Sequence, residues 1–288
     1  MIELSDEKWT PRATVIGIGE LGMRVLLKLK ENQREGMKLY ATVLDGTQVT
    51  QHDNQISMIY IGGEDLKGQE LYFDDMDQNS IVLVVADMTD NYIAKAVSAI
   101  VSYAEEQRLA LLAVLAIVSN DFEGQTDYIG KIRMLCMTPE MLRHQCKLQP
   151  DLFKDEANVA AESITALTDF HLKHGLAGID YEDVRRALCH PGKMMFAAGQ
   201  GATWKEAFEC LLHNTEALGM NIREKAYEPA FISFSSAIER LSIHDIGEIL
   251  NALGPYVSDD TECPFAITEE DSLGREVKIF ALISERIE

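Results

Sequence analysis

Ile81-Val82-Leu83-Val84-Val85-Ala86, followed by Asp87-Met88-Thr89-Asp90-Asn91-Tyr92, is the stretch on which the reading of this chain turns. The first six residues are an unbroken apolar run, which predicts a buried strand; a helix is expected to start near Asn91. A strand-to-helix turn with free backbone N–H groups is a ready anion site. Here two carboxylates, Asp87 and Asp90, already stand at the end that a phosphate needs. The turn therefore has the backbone of a phosphate cradle and side chains that oppose one.

Outward from this strand, the first half alternates strand and helix, the pattern of a parallel sheet with helices on its faces. Strands are predicted at Ala13 to Gly17, Leu39 to Leu44, Ile56 to Ile61, Leu111 to Val118 and Ile132 to Met137, the last closing at Thr138-Pro139. Helices are predicted from Gly19 to about Glu35 and from about Asn91 to Gln107. A long helix, about Lys154 to His174, follows, and Gly175 is a good stop for it. Asp180 then caps a helix through Leu188, and Met194 to Ala198 reads as a strand. Thr203-Trp204-Lys205-Glu206 is a capping box. Phe231 to Phe234, a helix near Ser242 to Leu253, and strands at Phe265 to Thr268 and Val277 to Ile283 complete an α+β unit.

The 288 residues suffice for about two domains with a full core. A net charge of −21 argues against nucleic acid and anionic lipid as partners, because their affinity comes mainly from Lys and Arg. Met1 to Trp9 lacks the basic-then-apolar pattern of a signal peptide. The longest apolar run, Leu109 to Val118, falls far short of the roughly 20 residues of a membrane span. The 5 cysteines are scattered, odd in number and without CxxC pairs, so a reducing cytoplasm is the expected location.

In order and in local strings, these elements resemble the tubulin/FtsZ superfamily, and the FtsZ branch in particular. Val15-Ile-Gly-Ile-Gly19 is similar to the strand and first glycine loop of FtsZ proteins. Asn120-Asp-Phe-Glu-Gly124 resembles the family's Phe-Asn-Phe-Glu-Gly. Gly175-Leu-Ala-Gly-Ile-Asp-Tyr-Glu-Asp183-Val resembles its synergy loop, Gly-Leu-Ile-Asn-Val-Asp-Phe-Ala-Asp-Val, and the long helix upstream resembles its central helix. Met194 to Leu212, with Gly199 and Gly201, continues the likeness. The resemblance implies an α/β fold of FtsZ/tubulin type. It divides into a parallel-sheet, Rossmann-type N-terminal domain over residues 1–150, a central helix over 151–175, and a smaller α+β domain over 176–288.

The departures from the family cluster on the nucleotide site. The signature Gly-Gly-Gly-Thr-Gly-Thr-Gly is matched here by Met88 to Ala94, Met-Thr-Asp-Asn-Tyr-Ile-Ala. Glycines are needed there so that backbone N–H groups can approach phosphate oxygens without Cβ interference. Tyr92 and Ile93 block that approach, and Asp90 repels the ligand. A second phosphate loop is missing between Gly62-Gly63 and Asp75. The guanine-reading position falls on Ala157, with Asn158 one residue off, and the synergy-loop Asn is Gly178. Loss of GTP binding and hydrolysis is the expected consequence, so no cofactor and no catalytic residues are expected.

In the resembled family, the synergy-loop carboxylates reach the next subunit's nucleotide and polarise the attacking water; Asp180 and Asp183 match those positions. Two readings stand side by side: a retained contact surface of Asp180, Glu182 and Asp183, or an N-cap and a favourable charge in a helix's first turn. Head-to-tail assembly would set these acids against Asp87, Asp90 and Glu20 of the next copy, a like-charge contact that needs an intervening cation or basic group.

The expected function is thus a non-standard cytoskeletal or scaffold protein acting by self-assembly or by capping or co-assembling with an FtsZ/tubulin-like partner. The chain's end at Glu288, without the tail by which FtsZ proteins meet membrane anchors, carries the expectation of no direct membrane contact.

Two rival readings use the same residues. Gly17-x-Gly19-x-x-Gly22 with Asp45 fits a dinucleotide fingerprint, and an NAD(P)-binding oxidoreductase would follow from it. A GTP-dependent switch with an altered pocket is the other, since Mg²⁺ can reconcile carboxylates with phosphate. Were a nucleotide retained, Gly17, Gly19, Gly22, Asp45, Thr89 and Asn158 are the residues expected to hold it. His171 and His174 share a helical face, but with Asp169 and the distant Cys189-His190 they do not complete a metal set, and no metal is expected.

Overall fold

The computed structural model describes residues 12–32, 34–44, 55–61, 80–107, 110–118, 128–129, 132–150, 153–173, 175–177, 179, 181–188, 194–224, 226–237, 241–257 and 263–285. Strands β1 (Arg12–Ile18), β2 (Met37–Leu44), β3 (Ile56–Ile61), β4 (Ser80–Asp87), β5 (Ala110–Ile117), β6 (Tyr128–Ile129) and β7 (Ile132–Met137) form a first sheet. Among the described residues its order is β3-β2-β1-β4-β5-β7-β6. Every pairing is parallel except that of the short β6 with β7.

Both faces of this sheet are apolar, which is why β4 reads as an unbroken hydrophobic run. Val15, Leu83 and Val85 point into the core shared with α1 (Gly19–Glu31) and the long α4 (Glu156–Leu172). Ile16, Val84 and Ala86 point the other way, against α2 (Asn91–Glu106). The strand order reverses between β1 and β4, and the register sets Ile18 beside Ala86. The starts of α1 and α2 therefore lie together at the carboxyl ends of two adjacent strands, the place where open α/β sheets take ligands.

Helix α1 stops at Glu31, short of the predicted Glu35. Gly36 adopts φ 83° and the Met37 N–H donates back to the Arg34 carbonyl at 3.1 Å, so a tight turn ends the pattern. The sequence reading also closed the last strand at Thr138-Pro139, where the structure starts another helix, α3 (Pro139–Leu148). Thr138 Oγ1 accepts from the Met141 N–H at 3.2 Å, and Pro139 sits in the first turn, where its missing N–H costs nothing.

The second sheet holds β8 (Gly175–Ala177), β9 (Met194–Gly201), β10 (Tyr227–Ser236), β11 (Phe265–Glu269) and β12 (Val277–Glu285) in the order β8-β11-β10-β12-β9. Helices α5 (Tyr181–Leu188), α6 (Trp204–Ala217) and α7 (Ile243–Leu253) accompany it. Phe196, Phe231, Phe280 and Leu282 pack toward α4, in one core with β1 and β4. Ile232, Phe234 and Ile279 pack on the opposite side with Phe208, Leu211 and Ile249.

Helix α4 is thus buried between two sheets, with Ala157, Ala160, Ile164 and Leu167 nearly inaccessible. The edge strand β9 is covered as well. Its Phe196 carbonyl accepts from Gln145 Nε2 and its Ala198 carbonyl from Asn214 Nδ2, both at 2.7 Å. Among the described residues no helix is long and apolar enough to cross a membrane.

Candidate functional site

The crevice between β1 and β4 is where the sequence reading placed its nucleotide residues, and the structure brings several of them there. Gly17 and Gly22 touch through their backbones: a Cβ on Gly17 would lie 2.6 Å from the Gly22 carbonyl oxygen, and a Cβ on Gly22 2.6 Å from the Gly17 carbonyl carbon. The first and third glycines of the fingerprint are therefore required by helix-on-strand packing alone. Gly19 takes φ 74°, and a Cβ there would sit 2.7 Å from Ile93 Cδ1. The side chain of Ile93, from the start of α2, thus covers the middle glycine. Ile18, the residue before α1, supplies no side-chain cap to that helix.

Across the crevice, carboxylates of the β4–α2 turn accept from donors of the same turn. Asp87 Oδ1 accepts from the Thr89 N–H at 3.1 Å and from Thr89 Oγ1 at 2.6 Å. Asp90 is the N-cap of α2, its Oδ1 accepting from the Tyr92 N–H at 2.7 Å. The Met88 N–H donates to the Ile117 carbonyl at 2.8 Å. Two amides of this turn, those of Thr89 and Tyr92, are thus held by carboxylates of the chain itself.

Asn158 lies on the first turn of α4, the helix that packs against α1. Its N–H donates to Asp155 Oδ1 at 3.0 Å, and Asp155 in turn sits 3.9 Å from Arg24 and 4.0 Å from Lys28 of α1. Ala157 is fully buried, whereas the Oδ1 of Asn158 is buried with no hydrogen-bond partner among the described residues. An orphaned acceptor of this kind is costly, and it is a feature the sequence does not reveal.

On α5, Val184 and Leu188 anchor the helix while Glu182 is exposed and Asp183 half-buried. Arg185 donates to Glu182 Oε2 through Nε at 3.0 Å and Nη2 at 2.7 Å, and Arg186 Nη2 donates to Asp183 Oδ1. The acidic surface expected here is therefore a set of paired charges. The arginines lie three residues after the carboxylates they pair with, a spacing legible in the sequence because it places both on one helical face.

Asp45, Asp180, Gly178, His174, Cys189-His190, Gly62-Gly63, Asp75 and the Asn120 to Gly124 string lie outside the described residues. His171 hydrogen-bonds the backbone of Arg12, and burial holds its imidazole below the usual range. Among the described residues no group of 3 or more His, Cys, Asp or Glu is arranged to hold a metal.

No protein-family model matches this chain, and no curated protein matches it by sequence. Solved structures do match over most of its length. A mutant FtsZ from M. jannaschii superposes with a TM-score of 0.67 at 18% identity, covering 96% of this chain and 92% of that one. An empty FtsZ dimer from the same organism gives 0.65 at 16% identity, covering 96% and 89%. GDP-form protofilaments of TubZ from Bacillus thuringiensis serovar israelensis give 0.58 at 12%, covering 95% and 86%. The fold is tubulin/FtsZ-like. Within this tubulin/FtsZ-like fold, the crevice of Gly19, Asp87 and Asp90 lies at the switch point of the first sheet, and α5 lies beside the second.

Proposed function

We propose that this chain is a tubulin/FtsZ-like cytoskeletal or scaffold protein that works by protein–protein contact, without GTP binding or turnover. One observation carries the reading: the carboxylates of Asp87 and Asp90 accept from the Thr89 and Tyr92 amides in the turn where a phosphate would have to sit. A triphosphate entering it would displace two hydrogen-bonded carboxylates and meet their charge, and Ile93 fills the space over Gly19. The partner is a second copy or an FtsZ/tubulin-like protein, in keeping with the dimer and the protofilaments among the matching structures. Charge on α5 favours this over the repulsion that the sequence implied, because Arg185 and Arg186 can exchange their own acids for Asp87, Asp90 or Glu20 of the next copy.

Calorimetric titration with GTP, GDP, NADH and NADPH, each with Mg²⁺, is the first test, paired with sedimentation of the protein alone and with a GTP-binding relative. Silence across the nucleotides together with sedimentation, or with a change in the relative's polymer mass, supports the proposal. Micromolar GTP binding overturns the nucleotide-free part; a protein that neither pellets nor alters the relative's polymer overturns the assembly part.

A second reading, a nucleotide-dependent switch with an altered pocket, has one observation in its favour. The orphaned Oδ1 of Asn158 is an acceptor beside α1, a helix that starts without a side-chain cap. Under that reading Asn158→Ala abolishes the calorimetric signal for GTP; under the first there is no signal to lose.

A further inference from the structure

Four charged side chains from distant parts of the chain meet at the end of α4. Arg34 comes from the turn between α1 and β2, Asp169 from the last turn of α4, Lys173 from its C-cap, and Glu270 from the residue after β11. Lys173 Nζ lies 2.6 Å from Asp169 Oδ2 and 3.5 Å from Glu270 Oε2. Arg34 reaches Asp169 Oδ1 through Nε at 3.4 Å and Glu270 Oε1 through Nη2 at 3.5 Å. The cluster joins the first sheet's side of the molecule, the helix between the sheets, and the second sheet.

The members are withdrawn from water, with side-chain exposures of 4% for Asp169, 16% for Lys173, 19% for Glu270 and 25% for Arg34. Charges this far from solvent are screened little, so their geometry carries weight that a surface pair lacks. Glu270 is also fixed from its own side: its N–H donates to the Ser236 carbonyl at 2.8 Å, and Ser272 Oγ donates to its Oε1 at 3.0 Å. Besides an ion pair of the buried Lys278 from β12 with Glu162 of α4, the contacts of α4 with the two sheets are mostly apolar, through Ala160, Ile164, Leu167 and Phe170. Apolar packing holds surfaces together but is non-directional. The charges add direction.

The grip is not saturated. Arg34 Nε and Asp169 Oδ1 are both buried, face each other at 3.4 Å, and make no hydrogen bond among the described residues. Arg34 divides its guanidinium between the helix and the second sheet, so it is held fully by neither.

We propose that Arg34, Asp169, Lys173 and Glu270 form a clasp that sets the position of the second sheet relative to the first, with Arg34 as its movable member. The inference rests on the fold and this cluster, and stands whether or not the chain assembles. It is tested by electron–electron distance measurement between spin labels carried on unnatural side chains at Ser98 of α2 and His213 of α6, both exposed. The full chain is compared with Arg34→Met, Lys173→Met and Glu270→Gln, and with Arg223→Met as control, since Arg223 pairs with Glu209 on the surface of the second half alone. The expected result is a shifted, broadened or second distance peak in the clasp variants that fold, and an unchanged peak in the control. Distance distributions identical to the parent in the folded clasp variants, or the same change in the control, overturn the proposal.

Discussion

Asp90 closes the first turn of α2 with its carboxylate, and under the proposed function the same carboxylate stands against a phosphate. Asp90→Ala is expected to cost about 1 kcal/mol of stability, the usual worth of an N-cap, read as a lower urea midpoint at unchanged slope. Asp90→Ser, which keeps an acceptor, restores most of it. The pair Asp87→Asn with Asp90→Ser removes both charges, yet GTP titration is expected to stay silent, because Ile93 still covers Gly19. At Cys263, burial first and the nearby Glu228 second push the thiol up to about 12. The thiolate is the reactive form, so at pH 8 alkylation of Cys263 should run about a thousandfold slower than for an unperturbed thiol and accelerate on unfolding. Peptide mapping after a timed iodoacetamide pulse checks this.

At the scale of elements, the places where sequence reasoning succeeded are those where one local rule decides. The unbroken run at β4 predicted a buried strand in a parallel sheet, as found, whereas the close approach of Gly17 to Gly22 was legible only as a glycine fingerprint. The capping signal at Thr203 held too: Thr203 Oγ1 accepts from the Glu206 N–H at 3.2 Å, although Glu206 reaches the Ala202 N–H. The same kind of signal was present at Thr138-Pro139-Glu140 and went unused, because Pro was read as the end of a strand when it was the start of α3. What local rules could not reach were pairings between distant residues. The clasp joins Arg34 to Asp169 and Glu270, and the orphaned acceptor of Asn158 depends on how α4 meets its neighbours.

Gly199 lies between the local and the distant. A Cβ there would stand 2.1 Å from the Ala207 carbonyl and 2.5 Å from the Leu211 amide nitrogen, both of the α6 backbone. Gly199→Ala should therefore push α6 off β9 and cost about 3 kcal/mol, seen as a lower urea midpoint, since backbone cannot yield as a side-chain tip can.

At the scale of the whole molecule, the net charge of −21 and the paired charges of α5 make opposite demands on assembly. Two copies of so acidic a chain repel at long range, and salt screens that repulsion, with a Debye length near 30 Å at about 0.01 M falling to near 8 Å at about 0.15 M. A contact made by Arg185 and Arg186 against Asp87 and Asp90 is short-range and partly desolvated, so moderate salt weakens it less. If self-assembly uses α5, pelleted mass should rise from about 0.01 M to about 0.15 M salt and fall again near 1 M, where even close pairs are screened. Arg185→Glu with Arg186→Glu should abolish the pelleting at every salt concentration, while the fold, followed by circular dichroism, persists. Reversal of Asp180 and Asp183 to Lys discriminates further, because pelleting that survives it confines those two residues to a cap and a first-turn charge of α5 and leaves the contact to the arginines. An assembly that rises steadily with salt through 1 M, and ignores both double reversals, would instead be apolar, and its surface would lie away from α5.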